Sequence, residues 1–340
     1  MTDFVPEPVF AHLLRMTDHR ATFEHAFLAE PRREHGYCTD DMARVLVVAT
    51  REPDASGPLK GLAGKALQFL NEAQSFDGAC RNRMNSAGRW TDQPTTDDHW
   101  GRMIWGLGTA AASSGVSLVR RLAVIQFERA AKARSPHPRA MAYAAIGAAD
   151  ILTFEPGHVA ALRLLADYSA GLAEPAPGTE WPWPETRLSY ANAVLAEAMI
   201  ATGGALDDQA LRERGLNALE WLLAYETTDG HLSVSPVGGR GPGDTRPAFD
   251  QQPIEVAALA EACARAAAVD PRPLWREGIA SAAAWFGGAN DLGLMMWDPA
   301  TGGGFDGLHS DRVNLNQGAE STLAVISTLQ LARRFSPVPQ

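Results

Sequence analysis

Residues 95–112 read TTDDHWGRMIWGLGTAAA. A short polar segment with two adjacent aspartates opens directly into a run of apolar and small residues that carries no charge. A helix that is apolar around its whole circumference is enclosed by other elements and does not lie at a surface. The segment therefore predicts a buried helix whose N-terminus carries carboxylates and an indole.

The same pattern occurs at four other places in the chain. Polar segments precede the apolar runs MARVLVVA (42–49), AVLAEAMIA (193–201), VAALAEACA (256–264) and STLAVISTL (321–329), and a sixth apolar helix, RAMAYAAIGAADIL, begins at Arg139. Between these lie segments with charge on one face, typical of helices at a surface. They begin at Val9, Pro58, Ser117, His158, Asp208 and Pro271.

Six apolar inner helices thus alternate with six amphipathic outer helices, and strand signals are scarce. The inner helices recur roughly every 40 to 65 residues, a period typical of helix-hairpin repeats. An open solenoid needs polar capping repeats at both ends, whereas the final helix is apolar. We therefore predict an all-α fold, with residues 1–340 forming a single (α/α)6 toroid; the alternative is a generic right-handed superhelix. The long loops before inner helices place the active-site face at the N-terminal ends of those helices.

Composition restricts the partners and the compartment. The formal net charge is −10 and the pI is about 5.4, which argues against nucleic acid or an anionic membrane as a partner. The three cysteines have no metal-ligand spacing and are typical of reduced thiols in a cytosol. The first ten residues lack the features of a secretion signal. We expect a cytoplasmic protein that uses no cofactor and no metal.

Carboxylates at the starts of inner helices are the candidate catalytic groups. If they face one cavity, mutual repulsion and partial burial drive their pKa values apart, which a general acid and a general base require. We expect Asp98 and Glu255 to fill these roles, with Asp41, Glu185 and Asp250 as substitutes. The structural alternative is that Asp40, Asp97 and Asp250 are helix N-caps, since Asp is among the preferred N-cap residues.

Aromatic, amide and cationic residues near the same helix starts fit the recognition of sugars. A sugar ring offers an apolar C–H face to an aromatic side chain and hydroxyl groups to polar ones. For Arg44 and Arg102 an ion pair within their own helix is an equal alternative. The prolines around Trp183 bar it from a helix interior, which favours a site role. The candidate binding residues are Tyr37, Asp40, Arg44, Asp97, Trp100, Arg102, Trp183, Tyr190, Gln251, Gln252, His309, Asn316, Gln317 and Glu320.

These segments also resemble a known group of proteins. Residues 35–47 (HGYCTDDMARVLV), 95–102, 181–198, 249–259 and 298–324 look like a bacterial family of carbohydrate-associated (α/α)6 proteins, the glycosyltransferase-associated or glycoside-hydrolase-like proteins. The resemblance covers nearly the whole chain. It implies the toroid fold, action on carbohydrate and a functional link to a glycosyltransferase.

Three functions remain open at this stage. The leading hypothesis is a glycoside hydrolase acting on a short oligosaccharide, inverting if its two carboxyl groups lie roughly 6.5–9.5 Å apart. The second is a sugar epimerase or isomerase, which needs a proton-transferring residue such as His35, His99 or His309. The third is a non-catalytic glycan-binding domain that serves a glycosyltransferase.

Overall fold

The computed structural model describes residues 6–53, 55–172 and 181–336. Residues 1–5, which are part of the segment searched for a secretion signal, lie outside the described residues. So does Ala173, at the end of the outer helix predicted from His158. The organisation of residues 1–340 as a single domain stays a prediction.

The six predicted inner helices are all present and form a closed ring. Each packs against the next along the chain, and the last packs against the first. Their bounds are α2 (Thr39–Arg51), α4 (Asp98–Ser113), α6 (Pro138–Phe154), α8 (Ala193–Ala205), α10 (Pro253–Ala267) and α12 (Ala319–Phe335). The closed (α/α)6 toroid is therefore confirmed, and the open superhelix is wrong.

The outer helices surround this ring. They are α1 (Ala11–Arg15), α3 (Gly57–Ala73), α5 (Ser117–Ala130), α7 (Val159–Ala170), α9 (Gln209–Tyr225) and α11 (Leu274–Phe286). Only α1 is much shorter than its sequence segment. The Asp18 carboxylate accepts hydrogen bonds from the amides of Arg20 (2.8 Å) and Ala21 (3.1 Å), and this turn replaces the predicted end of the helix.

Helices α4 and α6 approach each other backbone to backbone. A Cβ atom at Gly101 would overlap the carbonyl oxygen of Ala140, and one at Gly108 would overlap that of Gly147. A glycine inside a helix costs about 1 kcal/mol relative to alanine. Here the missing side chains allow a contact that no other residue would permit.

Short antiparallel ribbons, which the sequence did not predict, order the loops between helices. Within the described part of the chain, ten two-residue strands form five ribbons: β1 (Ala26–Phe27) with β2 (Glu30–Pro31), β3 (Tyr37–Cys38) with β4 (Arg83–Met84), β5 (Thr227–Thr228) with β6 (His231–Leu232), β7 (Trp297–Asp298) with β8 (Gly303–Gly304), and β9 (Gly307–Leu308) with β10 (Val313–Asn314). The β3–β4 pair ties the loop before α2 to the loop before α4. These loops lie at the end of the barrel where the inner helices begin, which we call the N-terminal rim.

Ion pairs join three of the inner helices, α6, α8 and α10. Arg265 of α10 lies 2.8 Å from Asp150 and 3.5 Å from Glu197. Buried charges persist in proteins when they are paired in this way. Across the described residues, we find no helix with the length and apolarity needed to cross a membrane.

Candidate functional site

An open cleft lies at the N-terminal rim above the start of α4. It collects side chains from segments that are far apart in the sequence. Its lining comprises Asp40, Asn82, Arg83, Asp92, Gln93, Thr95, Asp97, Asp98, His99, His137, Pro138, Arg139 and Tyr190. Five of the residues singled out from the sequence therefore line one cavity: Asp40, Asp97, Asp98, His99 and Tyr190.

Arg102 links two carboxylates of this cleft. Its Nη1 donates to Asp40 Oδ1 at 2.8 Å, and its Nη2 lies 3.8 Å from Asp98 Oδ2. Burial alone would raise the pKa of Asp40, but the charges of Arg102 and Arg44 outweigh it and lower that pKa to about 2. Asp40 therefore stays ionised at all ordinary pH values.

The three aspartates considered as N-caps do not cap helices with their side chains. The N-cap of α2 is Cys38, whose sulfur accepts a hydrogen bond from the Asp41 amide. The Asp40 carboxylate is therefore free of a capping role and faces the cleft. Asp97 occupies the N-cap position of α4, but its carboxylate accepts from the Thr95 hydroxyl at 2.7 Å. Asp250 precedes the N-cap of α10, which is Gln252.

Tyr190 covers Asp98 from the opposite side of the cleft. Its hydroxyl donates a hydrogen bond to Asp98 Oδ2. The guanidinium of Arg139 lies 4.8 Å from the Tyr190 ring centroid and forms two 2.7 Å bonds to Glu185. Glu185 was predicted as a substitute catalytic group; its two oxygens are instead held by Arg139, so that it positions this arginine.

Glu255 does not face the cleft. It is only 3% exposed, and it accepts hydrogen bonds from the amide of Ala191 and from both the amide (3.3 Å) and the side chain (3.0 Å) of Asn192. Burial raises the pKa of Glu255 to about 8, with Glu226 adding to the effect. Its oxygens bind the turn that carries Tyr190, so the structure does not bring Glu255 into the cleft, and its role as a catalytic acid or base stays a prediction. Ala191 in that turn has a left-handed φ of 44°.

A second acidic group lies where the barrel axis meets the rim. Arg44 donates to Asp41 at 2.8 Å and to Glu320 at 2.6 Å. Burial raises the pKa of Asp41 to about 7; the charge of Arg44 opposes this shift, and those of Glu320 and Glu24 add to it. Asp41 is buried, so Glu320 is the member of the group that solvent reaches. Below them a narrow axial cavity is lined by all six inner helices and mostly by apolar side chains.

Two predicted binding tryptophans belong to the core. Trp100 is fully buried, and its indole N–H donates to the carbonyl oxygen of Gly78 at 3.0 Å. Trp183 is 4% exposed and stacks on Trp221 of α9 at a centroid distance of 5.8 Å. Both assignments are corrected: the prolines keep Trp183 out of a helix, but the loop folds inward against an outer helix.

Tyr37 and Gln251 are likewise structural. The Tyr37 ring is buried against Phe23, and its hydroxyl donates to Asp18 at 2.7 Å. Gln251 has no exposed surface, and its side-chain amide donates to Asp291 at 2.5 Å. Neither side chain is available to a ligand.

The remaining predicted binding residues lie on loops before α10 and α12, outside the lining of the cleft. Asn316 accepts from the Leu28 amide at 2.9 Å, and Gln317 is buried and bonded through its main chain. His309 Nδ1 and Asp250 Oδ1 form a hydrogen bond of 2.6 Å, and this is the contact among these residues that could serve in catalysis. A carboxylate on one ring nitrogen fixes the tautomer and leaves the other nitrogen able to accept a proton.

One cluster of the described residues has metal-ligand chemistry. Ligand atoms of Glu24, Cys38 and Asp41 lie within 4.8 Å of one another. The two Asp41 oxygens already accept hydrogen bonds from Arg44 and from the Cys38 thiol. The cluster is therefore satisfied by hydrogen bonds, and we assign no metal to it.

Sequence analysis missed several residues of the cleft. Arg139 is the single charge in the first turn of an inner helix that carries few charges, the same signal that identified Asp98. Asn82 donates to Asp40 at 2.9 Å, and His137 lies 3.2 Å from Asp97. The last two lie in loops without a helical pattern, so nothing in the sequence marked them.

The chain was compared with known proteins. No protein-family model matches it, and no curated protein matches it significantly. Among solved structures, it is similar to a sugar epimerase from a ruminal bacterium (14% identity, TM-score 0.66, 95% of both chains) and to cellobiose 2-epimerase from Spirochaeta thermophila (11%, 0.65, 96% of this chain and 94% of that one). It is also similar to an α-1,6-mannanase of Salegentibacter (10%, 0.64, 96% of both chains), an inactive variant with two consecutive aspartates replaced, in complex with α-1,6-mannotetrose. At these identities the likeness establishes the (α/α)6 toroid fold that the family resemblance implied.

Proposed function

We propose that this protein is a carbohydrate-active enzyme, a glycoside hydrolase that acts on a short oligosaccharide bound in the rim cleft. One observation carries the proposal. Two carboxylates from different inner helices, Asp40 and Asp98, face the same open cleft on either side of Arg102. Glycoside hydrolysis requires such a pair flanking the scissile bond.

The environments of the two carboxylates suggest different roles. Asp98 receives the Tyr190 hydroxyl and is reachable from the cleft, so we assign it the proton exchange with the glycosidic oxygen. Asp40 is kept ionised by Arg102 and can orient a water molecule or stabilise positive charge that develops on the sugar ring. We propose an inverting reaction, for which the two carboxyl groups must leave room for that water.

The solved structures support this reading by analogy of fold. Replacement of two consecutive aspartates gives an inactive mannanase. In this chain two Asp-Asp pairs lie in or at the first turns of α2 and α4, and one aspartate of each pair binds Arg102. Fold-level analogy is weak evidence for a reaction, so the argument rests on the cleft.

The test is turnover of manno- and gluco-oligosaccharides, with α-1,6-mannotetraose in the panel, followed by analysis of the product anomer. Asp98→Asn should lower kcat by about 10²–10⁴, the usual contribution of a general acid or base. Asp97→Asn, at the adjacent residue, should cost about tenfold or less, because Asp97 contacts neither Arg102 nor Tyr190. Equal effects of the two substitutions, or hydrolysis by Asp98→Asn at the wild-type rate, would remove Asp98 from the mechanism.

The His309–Asp250 contact favours a second candidate function, a sugar epimerase or isomerase. Its carboxylate-oriented imidazole has the geometry of a general base. Solvent deuterium would appear at a carbon of a recovered free sugar, and His309→Asn would abolish the exchange. Hydrolysis incorporates no carbon-bound deuterium, so one NMR experiment separates the two reactions.

A glycan-binding domain without activity is the remaining alternative. It predicts sugar affinity that survives Asp98→Asn, with no turnover of any glycan. The functional link to a glycosyltransferase, which the family resemblance implies, stays a prediction.

A further inference from the structure

The outer surface formed by α5 and α7 carries a concentration of exposed apolar side chains. On α5 they are Leu118 (55% exposed), Leu122 (39%) and Ile125 (55%), and on α7 they are Val159 (59%) and Leu162 (36%). An outer helix of this barrel buries one face and is expected to show polar residues on the other. Contiguous apolar surface of this kind marks an interaction site more often than an ordinary exterior.

The three residues on α5 form a continuous stripe. Their spacing of four and then three residues places them on one face of the helix. Arg129 continues the stripe by another four residues. Its guanidinium donates to Asn71 of α3 at 3.2 Å, which leaves its hydrocarbon stem to extend the apolar surface.

Helix α7 widens this surface at the C-terminal end of α5. The ring of His158, which precedes Val159, lies 5.5 Å from Phe127 of α5 and contacts Glu128 at 3.3 Å. The two helices are thus neighbours. We call the five exposed residues the α5–α7 patch.

The charged residues beside the stripe are complementary to those of a second copy of α5 that runs in the opposite direction. Arg121 and Glu128 lie seven residues apart on one flank of the stripe, one basic and one acidic. When two copies of α5 pack antiparallel across a two-fold axis, Leu122 opposes Ile125 of the second copy. The same rotation brings Arg121 towards Glu128 of the second copy, twice per pair. A self-complementary patch is what a two-fold interface requires.

We propose that the α5–α7 patch is the interface of a homodimer, with α5 packed antiparallel on its own copy. A partner of one charge sign would repel either Arg121 or Glu128, whereas a second copy satisfies both. The inference is independent of the reaction that takes place in the cleft.

The test is the mass of the purified full-length chain, by light scattering and by sedimentation over a wide range of concentration. The wild type should be a dimer that dissociates on dilution. Leu122→Glu should raise the dimer Kd by roughly 30-fold or more, the effect of losing a central anchoring residue. Phe76→Glu is the matched control, since Phe76 is 96% exposed outside the patch, and it should leave Kd unchanged.

A charge exchange keeps the test decisive if Leu122→Glu fails to fold. Arg121→Glu and Glu128→Arg should each weaken the dimer, and the double variant should restore it, which general damage to the fold would not do. A wild-type chain that is monomeric at every concentration, or a dimer that tolerates both Leu122→Glu and the single charge changes, would overturn the proposal.

Discussion

Replacing Arg102 with methionine tests the electrostatics of the cleft most directly. Methionine keeps much of the apolar stem but removes the charge that faces Asp40 and Asp98. The difference between an ordinary Asp pKa of 3.8 and the value of about 2 for Asp40 corresponds to roughly 2 kcal/mol of stability at neutral pH. Without Arg102, burial of Asp40 is also poorly compensated. Breaking one partner out of a buried pair costs about 3–5 kcal/mol in total.

The pH dependence gives this prediction its sign. In the wild type, the stabilisation from ionised Asp40 is present above pH about 4 and is lost as the pH falls towards 2, because the folded-state pKa is the lower one. In Arg102→Met, burial instead disfavours the ionised form. The variant should therefore approach the wild type only as the pH falls towards 2 and lie furthest behind it at pH 7. Urea unfolding followed by circular dichroism at a series of pH values measures this difference.

Asp40→Asn provides the control. If Arg102 acts through Asp40, Asp40→Asn/Arg102→Met should be less destabilised than the sum of the two single variants, because the neutral amide no longer needs the cation. A loss below about 1 kcal/mol at pH 7, the size expected for an exposed ion pair, would refute the reasoning. A loss that does not change with pH would also refute it.

The other predictions concern the surroundings of the cleft and the core. Tyr190→Phe should lower kcat/KM about tenfold at unchanged thermal stability, because the hydroxyl bonds Asp98 in a partly exposed site; steady-state kinetics with a melting curve checks both. Glu255→Gln should flatten the stability–pH profile. In the wild type, Glu255 has a folded-state pKa of about 8, above the ordinary 4.5, so the protein loses up to about 5 kcal/mol of stability as the pH rises between these values. Denaturant titrations at pH 5 and 8 measure this loss in the wild type and in the variant. Trp183→Ala should cost about 3–5 kcal/mol of unfolding free energy, seen in urea unfolding, with KM unaffected. Gly147→Ala should destabilise by several kcal/mol because its Cβ meets the backbone of α4, whereas a helical glycine with open space around it, Gly64, should tolerate alanine in the same thermal melts.

The twelve α-helices found among the described residues could be predicted from the sequence because their signal is periodic and long. Apolar runs such as the one from Arg139 have no surface face, and a ring is the arrangement that encloses six of them. The two-residue ribbons could not be predicted, since a strand such as Tyr37–Cys38 is too short to show alternation.

The sequence was enough to predict that the site lies at the N-terminal rim, but not which side chains face the cleft. The first turn of an inner helix points partly at the cavity and partly at its neighbours. The sequence shows that Asp98 and Glu255 each lie in the first turn of an inner helix. It does not show which of the two carboxylates is hydrogen-bonded to the main chain of a neighbouring loop. For Glu255 the deciding feature is the loop at Ala191, whose conformation depends on contacts from three other helices.

The glycine contacts between α4 and α6 have a consequence for how binding preferences can change. Two helices in direct main-chain contact cannot move closer without a collision, and they cannot separate without losing that packing, so the floor of the cleft between Asp98 and Arg139 has a fixed width. Changes in sugar preference must then come from the loops over the cleft, which carry Asn82 and His137. Natural or engineered relatives with altered sugar preference should differ in those loops while keeping small residues along the α4–α6 seam.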